Sequence, residues 1–291
     1  MAKWSASRLK TYHACLLKYY YSYVKPYDPN MPANTEMASK GLAFHETAEQ
    51  MVTGKTDQEM QDILDSKIEE YKVDRTIYPE DEALRRFMLF WKEFIATKEA
   101  EGYKVEKEGW ANGEIEGKSF CGALDLALYR YKEDGSLEHV VIVDYKTAKT
   151  AAAASYKDQL VLYAYLIGLT QNWSYQQIKD NVDLFIFFPF STQTKGNDYD
   201  NMLSSVKRVN YTADDVEKII TGDISTIRES ESIQWDKVNI DSLGQTNFTC
   251  KFCQFLGTIP DESNGFRGCK CSYDLGYRQM RGLKFNLREQ K

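Results

Sequence analysis

The feature that most constrains the fold is an apolar run that ends in an acid and a base. The run reads Val-Val-Ile-Val-Asp-Tyr-Lys, from Val140 to Lys146. Four successive β-branched residues predict a buried strand, and strand alternation puts Asp144 and Lys146 on the same face of it. A carboxylate and an ammonium two residues apart at the end of a buried strand are placed to meet in one site.

A second carboxylate interrupts the preceding predicted strand. Asp125 lies within Phe120-Cys-Gly-Ala-Leu-Asp-Leu-Ala-Leu128, and strict alternation gives it the small same-face neighbours Ala123 and Ala127. Burying two carboxylates is unfavourable unless a cation or another partner compensates. A divalent ion with oxygen ligands would do so, with the lysine facing an anionic substrate. A buried Asp–Lys ion pair between two strands is the alternative on pattern alone.

The hydrophobic periodicity predicts helices, then a sheet, then helices. Helices are predicted over residues 5–24, 39–52, 57–73, 80–100 and 155–169, and a further one begins at Thr212. Strands are predicted over residues 103–116, 118–131, 138–146, 182–188 and 203–211. The order βββ-α-β behind a helical N-terminal part indicates an α/β fold with a mixed sheet and helices on its faces.

The net charge of −6 hides an uneven distribution of charged residues. Residues 1–30 carry +4 and residues 266–291 carry +5, so residues 31–265 carry −15. Basic ends around an acidic body indicate a local site for a polyanion such as nucleic acid rather than a uniformly basic surface. Solvated chain ends are the alternative on charge alone.

Two polar motifs flank the predicted strands. His45 ends the segment Gly-Leu-Ala-Phe-His on a predicted helix, and Gln159 and Tyr163 lie one turn apart on the helix after Lys146. His45 by itself fits a packed core residue as well as a ligand. The zinc-protease motif His-Glu-x-x-His is absent, because Glu49 occupies the second histidine's position.

Taken in order, four motifs resemble the RecB-like branch of the PD-(D/E)XK nuclease superfamily. They are Gly-x-x-x-His (Gly41–His45), Gly-x-x-Asp (Gly122–Asp125), Asp-x-Lys (Asp144–Lys146) and Gln-x-x-x-Tyr (Gln159–Tyr163). The segment Ser5–Cys15 also resembles that branch's N-terminal helix with its single cysteine. The chain is thus similar to the iron–sulfur-containing exonucleases of the AddB-like and CRISPR-associated types, phage-encoded members included.

The resemblance implies a restriction-endonuclease-like α/β core, in which helices flank a mixed central sheet, with a helical N-terminal part and a cysteine-bearing C-terminal tail. It also implies roles for single residues. The implied ligands of Mg²⁺ or Mn²⁺ are His45, Asp125, Asp144 and the carbonyl of Tyr145. The implied catalytic residues are Asp125, Asp144, Lys146, Gln159 and Tyr163. Lys146 would orient or activate the attacking water and stabilise the developing charge of the phosphorane, and Gln159 and Tyr163 would position the scissile strand.

The implied function is a metal-dependent DNA exonuclease that hydrolyses phosphodiester bonds in single-stranded DNA or at DNA ends. Such enzymes act in recombination, repair or phage DNA metabolism. Besides DNA, the expected partners are a second copy of the chain or a recombination protein. The alternative is a catalytically inactive subunit that binds DNA ends with the same fold, and an RNA-directed nuclease would use the same chemistry.

Four cysteines lie within 22 residues of the C-terminal part, Cys250, Cys253, Cys269 and Cys271. A chain without a secretion signal is not expected to use them in disulfides, and read alone they fit a structural zinc site. The resemblance implies instead a [4Fe–4S] cluster. Its implied ligands are Cys15, Cys250, Cys253 and Cys271, with Cys269 as the alternative to Cys271. Cys121 reads as a small core residue.

We predict three regions along the 291 residues. Residues 1–100 form a helical N-terminal region with Cys15 and His45, residues 101–215 the nuclease core, and residues 216–291 a helical, cysteine-bearing region that packs back on the N-terminus. The N-terminal charges are followed by no apolar signal segment, and no stretch approaches the roughly 18 apolar residues of a membrane span. We therefore expect a location in the cytoplasm of a bacterium or a phage-infected cell, without membrane contact.

Overall fold

A computed structural model describes residues 3–26, 35–50, 55–73, 80–150, 152–191, 199–239 and 243. The helices are α1 (Ala6–Ala14), α2 (Leu16–Tyr19), α3 (Thr35–Gln50), α4 (Asp57–Glu70), α5 (Glu80–Leu89), α6 (Ala96–Ala100), α7 (Lys157–Thr170), α8 (Tyr175–Asn181), α9 (Tyr199–Ser205) and α10 (Ala213–Ser232). Short π-helical segments cover Tyr20–Val24 and Phe90–Ile95, and a 3-10 turn covers Ala153–Tyr156. The strands are β1 (Lys104–Ile115), β2 (Lys118–Tyr131), β3 (Leu137–Tyr145), β4 (Val182–Phe187) and β5 (Val206–Arg208).

The described strands form a mixed sheet in the order β1-β2-β3-β4-β5. Strands β1, β2 and β3 are antiparallel neighbours, β4 is parallel to β3, and β5 is antiparallel to β4. A parallel pair needs a crossover connection, and the chain segment with α7 and α8 provides it. The predicted fold class, a mixed sheet flanked by helices with a helical N-terminal part, is confirmed.

An aromatic-rich core covers one face of the sheet. Phe44 of α3, Phe87 of α5 and Phe90 pack against Tyr145 of β3 and Phe187 of β4. The rings of Phe90 and Phe187 stack with centroids 4.6 Å apart. Burial of each such side chain stabilises the fold by about 1.5–3 kcal/mol, so this cluster fixes α3 and α5 against the strands.

Helix α7 covers the opposite face. Eight of its fourteen residues are buried, and its apolar residues lie all round rather than in one stripe, as in a helix buried on most sides. It approaches β2 at Gly122, where a Cβ atom would lie 2.2 Å from Cε1 of Tyr163. Only glycine leaves room for the Tyr163 ring at this crossing.

Near the middle of the β1–β2 hairpin, the alternation of side chains between the two faces of the sheet is interrupted. The register runs from Lys104 to Ile115 and is interrupted only where Glu108 would face Asp125. Glu108 has a left-handed backbone with φ 52°, a conformation that costs a non-glycine residue about 1–2 kcal/mol. The interruption separates two regular halves of the hairpin.

The side chains of the two halves point in different directions. Leu126 and Leu128 belong to the aromatic core, whereas Gly122 faces α7. Ala127 is fully buried, but Ala123 is exposed. The expectation that Ala127 shares the face of Asp125 agrees with the register of β2 and β3. The same expectation for Ala123 is wrong, because the irregular backbone shifts the alternation by one residue.

The predicted strands 103–116, 118–131, 138–146 and 182–188 agree with β1 to β4 within two residues. The predicted strand at 203–211 is mostly wrong, since α9 ends at Ser205 and β5 contains three residues. Met202 is fully buried in the aromatic core, and the hydroxyl of Ser205 donates to its carbonyl at 2.6 Å. A short apolar pattern fits a strand and a helical turn equally well. Here the burial of Met202 favours the helical turn.

The chain divides into two compact units, one with residues 1–6 and 36–225 and one with residues 7–35 and 226–291. In the second unit the predicted helix 5–24 is broken at Cys15, which has extended backbone angles. Tyr12 and Tyr19 are buried there, with rings edge-on at 5.1 Å, and the Tyr19 hydroxyl lies 2.9 Å from the hydroxyl of Ser230. These two tyrosines pack the unit. The division into regions 1–100, 101–215 and 216–291 stays a prediction.

Among the residues described, no helix combines the length and the apolar character needed to cross a membrane.

We expect Gly122→Ala to destabilise the protein, because the added methyl group would overlap the buried ring of Tyr163. Overpacking of this kind costs about 1–3 kcal/mol and should lower the Tm measured by circular dichroism. Gly222→Ala is the control: among the described residues, a Cβ at this α10 position meets no atom within 4 Å outside its own helix turn, and alanine is the better helix former by up to about 1 kcal/mol. Equal Tm values for Gly122→Ala and the wild type would contradict the close approach.

Candidate active site

Two carboxylates meet across the strands β2 and β3. Leu126 pairs with Val143, so the same register puts Asp125 opposite Asp144. Asp144 is 4% exposed. Asp125 is anchored on β3, because the backbone N–H of Tyr145 donates to its Oδ2 at 2.7 Å.

Lys146 reaches back to the buried carboxylate from the end of β3. Its Nζ lies 2.5 Å from Asp144 Oδ2, and its backbone N–H donates to the carbonyl of Phe187 at 2.9 Å. Nζ and Oδ2 form an ion pair, and among the described residues Oδ2 has no other polar partner. In the described part of the chain, the Lys146 ammonium is therefore the one partner of this buried oxygen.

Two side chains of α7 complete the network around Asp144. Gln159 Nε2 donates to Asp144 Oδ1 at 3.2 Å and to the hydroxyl of Tyr163 at 3.1 Å. Burial raises the pKa of Tyr163 to about 12, and the charge of Asp144 adds to this. Tyr163 is thus held as a neutral phenol, which can donate a hydrogen bond but is not a base.

His45 joins the site from α3. Its Nδ1 lies 3.3 Å from Asp125 Oδ1. Burial by itself lowers the pKa of His45, but the hydrogen bond and charge of Asp125 and the charge of Asp144 outweigh it, so that the net shift is upward. His45 therefore interacts directly with the carboxylate of Asp125 and is not merely a packed core residue.

The sequence model of the PD-(D/E)XK nuclease superfamily matches residues 3–257 of this chain. This span contains every residue of the network. The chain belongs to the PD-(D/E)XK nuclease superfamily. Among solved structures it is similar to the crystal structure of a "putative exonuclease" from Eubacterium rectale, with 11% identity and a TM-score of 0.43. That similarity covers 84% of this chain and 89% of the other. No curated protein matches the sequence.

The network of this nuclease joins six of the residues singled out from the sequence. They are His45, Asp125, Asp144, Lys146, Gln159 and Tyr163. Tyr145 contributes its backbone N–H, whereas its side chain is buried in the aromatic core, where burial raises its pKa well above the usual value. The role predicted for its carbonyl stays a prediction.

Of the cysteines predicted as cluster ligands, Cys15 lies within the described residues, and none of the contacts of this network involves it. Cys15 is a partly buried free thiol between α1 and α2. Cys250, Cys253, Cys269 and Cys271 lie outside the described residues.

The donor set of the site fits a hard divalent cation. In the described part of the chain, no three or more His, Cys, Asp or Glu side chains form a group ready to hold a metal ion. Asp125 and Asp144 nevertheless supply two carboxylates, the oxygen ligands that Mg²⁺ and Mn²⁺ prefer. The buried Oδ2 of Asp144, whose one partner among the residues described is the Lys146 ammonium, is an atom that such an ion would also contact.

Sequence reasoning missed Glu108. It stands at the irregular position of β1 opposite Asp125. Loss of solvent around its carboxyl group, with the negative charges of Glu49 and Asp125, raises its pKa. The only signal in the sequence is the following Gly109, since glycine inside a strand often marks an irregular backbone.

Asp144→Asn tests the buried carboxylate without metal. Burial raises the pKa of Asp144 from 3.8 to about 6, against the opposing charge of Lys146. The native state therefore binds this proton more tightly than the unfolded chain, and stability falls as the pH rises from about 4 to about 6. In EDTA near pH 8 we expect the variant to be more stable than the wild type by about 1–2 kcal/mol, and near pH 4 this advantage should vanish.

The same variant tests metal binding through stability. Added Mn²⁺ should raise the Tm of the wild type by mass action, whereas Asp144→Asn should gain much less. Asp180→Asn, a change on the exposed surface of α8, should respond like the wild type. An equal rise in Tm for Asp144→Asn and the wild type would show that the ion binds elsewhere.

Proposed function

We propose that this nuclease is a Mg²⁺- or Mn²⁺-dependent DNA exonuclease that acts on single-stranded DNA or on DNA ends, in recombination, repair or phage DNA metabolism. The observation that carries the proposal is the setting of Asp144. Its carboxylate contacts Lys146 and Gln159 and lies across the strand pair from Asp125. His45 and the Gln159–Tyr163 pair are the features that favour the RecB-like branch.

Hydrolysis adds water across a P–O ester bond. The water oxygen bonds to phosphorus and loses its proton, the ester bond breaks, and the leaving oxygen takes up a proton. A bound divalent ion supplies a more acidic water and neutralises charge on the phosphate. Asp125 and Asp144 would hold that ion, with His45 and the Tyr145 carbonyl as further ligands.

Lys146, Gln159 and Tyr163 would bind the phosphate, position the attacking water and orient the carboxylate of Asp144. The Lys146 side chain is 23% exposed, so its ammonium can face an incoming phosphate, hold the attacking water and stabilise developing negative charge. Gln159 fixes the rotamer of Asp144, because one amide group binds both the carboxylate and Tyr163. Tyr163 remains a donor toward the substrate strand.

Lys146→Ala should lower the cleavage rate of labelled single-stranded DNA in Mn²⁺ by about 100-fold or more, because it removes a charge aimed at the transition state. Binding of the same DNA in EDTA should be nearly unchanged. Lys149→Ala, an exposed lysine three residues further on, is the control and should cleave normally. Duplex DNA and RNA in parallel reactions define the substrate.

Two results would contradict the proposal. Wild-type rates in Lys146→Ala would remove the catalytic assignment. A wild-type protein that binds DNA ends but cuts none of the substrates in either metal would favour the alternative, an inactive end-binding subunit.

We further propose that the chain holds a [4Fe–4S] cluster through Cys15, Cys250, Cys253 and Cys271, with Cys269 as the alternative to Cys271. A structural zinc ion is the competing possibility. Support comes from the motif resemblance and from Cys15, a free thiol in extended backbone that interrupts the N-terminal helix. Such a cluster would link the two ends of the sequence.

Cys15→Ser should abolish the brown colour and most of the iron and acid-labile sulfide of protein purified without oxygen, because it removes one of the thiolate ligands. Cys121→Ser is the matched control. It changes the other described cysteine, on β2, and should keep the cluster. A colourless wild-type protein with stoichiometric zinc would contradict the proposal.

A further inference from the structure

The two most exposed large apolar side chains of the described residues belong to elements that carry the candidate active site. Trp110 of β1 is 65% exposed and Leu42 of α3 is 51% exposed. Leu42 lies one helical turn before His45 on α3. Trp110 lies two residues beyond Glu108, the position that faces Asp125 in the register. Tryptophan is highly buried on average, so an exposed indole near the candidate active site indicates a ligand that covers it.

The surroundings of Trp110 leave its ring uncovered. Its cross-strand partner is Ala123, which is itself exposed, and its chain neighbour is Gly109. Gly113 faces α7, so alternation turns Trp110 to the opposite face of the hairpin. Because the small Ala123 is its neighbour on the same face, the indole stands open on the strand surface as a flat platform.

A cation stands on the same face. Trp4 lies alongside β2, where its backbone N–H donates to the carbonyl of Ser119 at 2.8 Å. This brings Lys3 next to the hairpin, and its Nζ lies 3.3 Å from Asn112 Oδ1. Asn112 is two residues from Trp110, about 7 Å along the strand, and points the same way. An ammonium beside an open aromatic ring suits a nucleotide, which has a phosphate and a flat base.

We propose that Trp110 stacks on an unpaired base of the substrate, about one nucleotide from the phosphate that is bound at Asp125, with Leu42 as a second apolar contact. The inference rests on the proposed function and deepens it. Two strand residues, about 7 Å, separate Trp110 from the position facing Asp125, a distance of the order of one nucleotide step. Bases within a duplex are covered by their neighbours, so the platform selects a single strand or a frayed end.

The test measures binding without cleavage. The full chain in EDTA is titrated into a fluorescein-labelled oligothymidylate, and into the same oligomer with abasic sites, and the anisotropy is followed. Trp110→Ala should weaken binding of the oligothymidylate about ten-fold, the effect of one lost stacking contact. Trp110→Phe keeps a ring and should stay within about three-fold, and Leu42→Ala should lose about two-fold.

The abasic oligomer and an aromatic control isolate stacking from other effects. Trp110→Ala and the wild type should bind the abasic oligomer equally, because it offers no base to the ring. Tyr131→Ala changes another exposed aromatic residue of the hairpin, 44% exposed at the far end of β2, and should bind like the wild type. Trp110→Ala should also keep the wild-type Tm, since the ring is largely outside the core.

Several results would overturn the inference. They are wild-type affinity of Trp110→Ala for the oligothymidylate, an equal loss on the abasic oligomer, and a change in sedimentation that identifies Trp110 as a contact between copies of the chain. Cleavage of the oligomer in Mn²⁺ separates the two hypotheses. A wild type that cuts DNA with no Trp110 effect removes only the platform, whereas Trp110-dependent binding without cleavage removes only the proposed exonuclease.

Discussion

The buried carboxylate of Asp144 is the constraint on which the rest of the site depends. A carboxylate that is 4% exposed is unfavourable unless charge and hydrogen bonds compensate, and Lys146 and Gln159 supply them from two different elements. Because Gln159 must reach Asp144, α7 has to lie close to the sheet, and Gly122 makes that approach sterically allowed. Within the described ranges, Oδ2 of Asp144 has no partner besides the Lys146 ammonium, which suits a site that receives a cation.

The irregular hairpin position at Glu108 and Asp125 organises the other half of the site. In a regular strand, the side chain of Asp125 would contact residues on one face of the sheet only. At the irregular position, where the alternation is shifted, it accepts a hydrogen bond from the backbone N–H of Tyr145 on β3 and contacts His45 on α3. Left-handed backbone at a glutamate is strained, and such strain persists where the surrounding structure imposes it. The same shift turns Trp110 outward, so one local distortion shapes both the carboxylate site and the adjacent surface.

Much of this arrangement was predictable from the sequence, and the failures have physical causes. Strands β1 to β4 follow from long runs of alternating or β-branched residues, for which the period is clear. The segment at 203–211 was too short for its period to decide, and burial of Met202 made part of it helical. Ala123 was misplaced because strict alternation assumes a regular strand, whereas Glu108 was missed because no residue pattern specifies a left-handed glutamate.

By itself, the sequence determined the order of β1 to β4, the helices α3 to α7 around them and the chemical groups of the site, since periodicity and residue type are local properties. It also determined the superfamily, through polar residues at fixed spacings within apolar runs. Only the tertiary structure decided which groups meet. The contacts of Asp144 with Gln159 and of Asp125 with His45 join residues of different elements, and their formation depends on the register of β2 against β3 and on how closely α3 and α7 pack. Exposure of Trp110 is likewise a property of the folded sheet, because it depends on which face the hairpin turns outward.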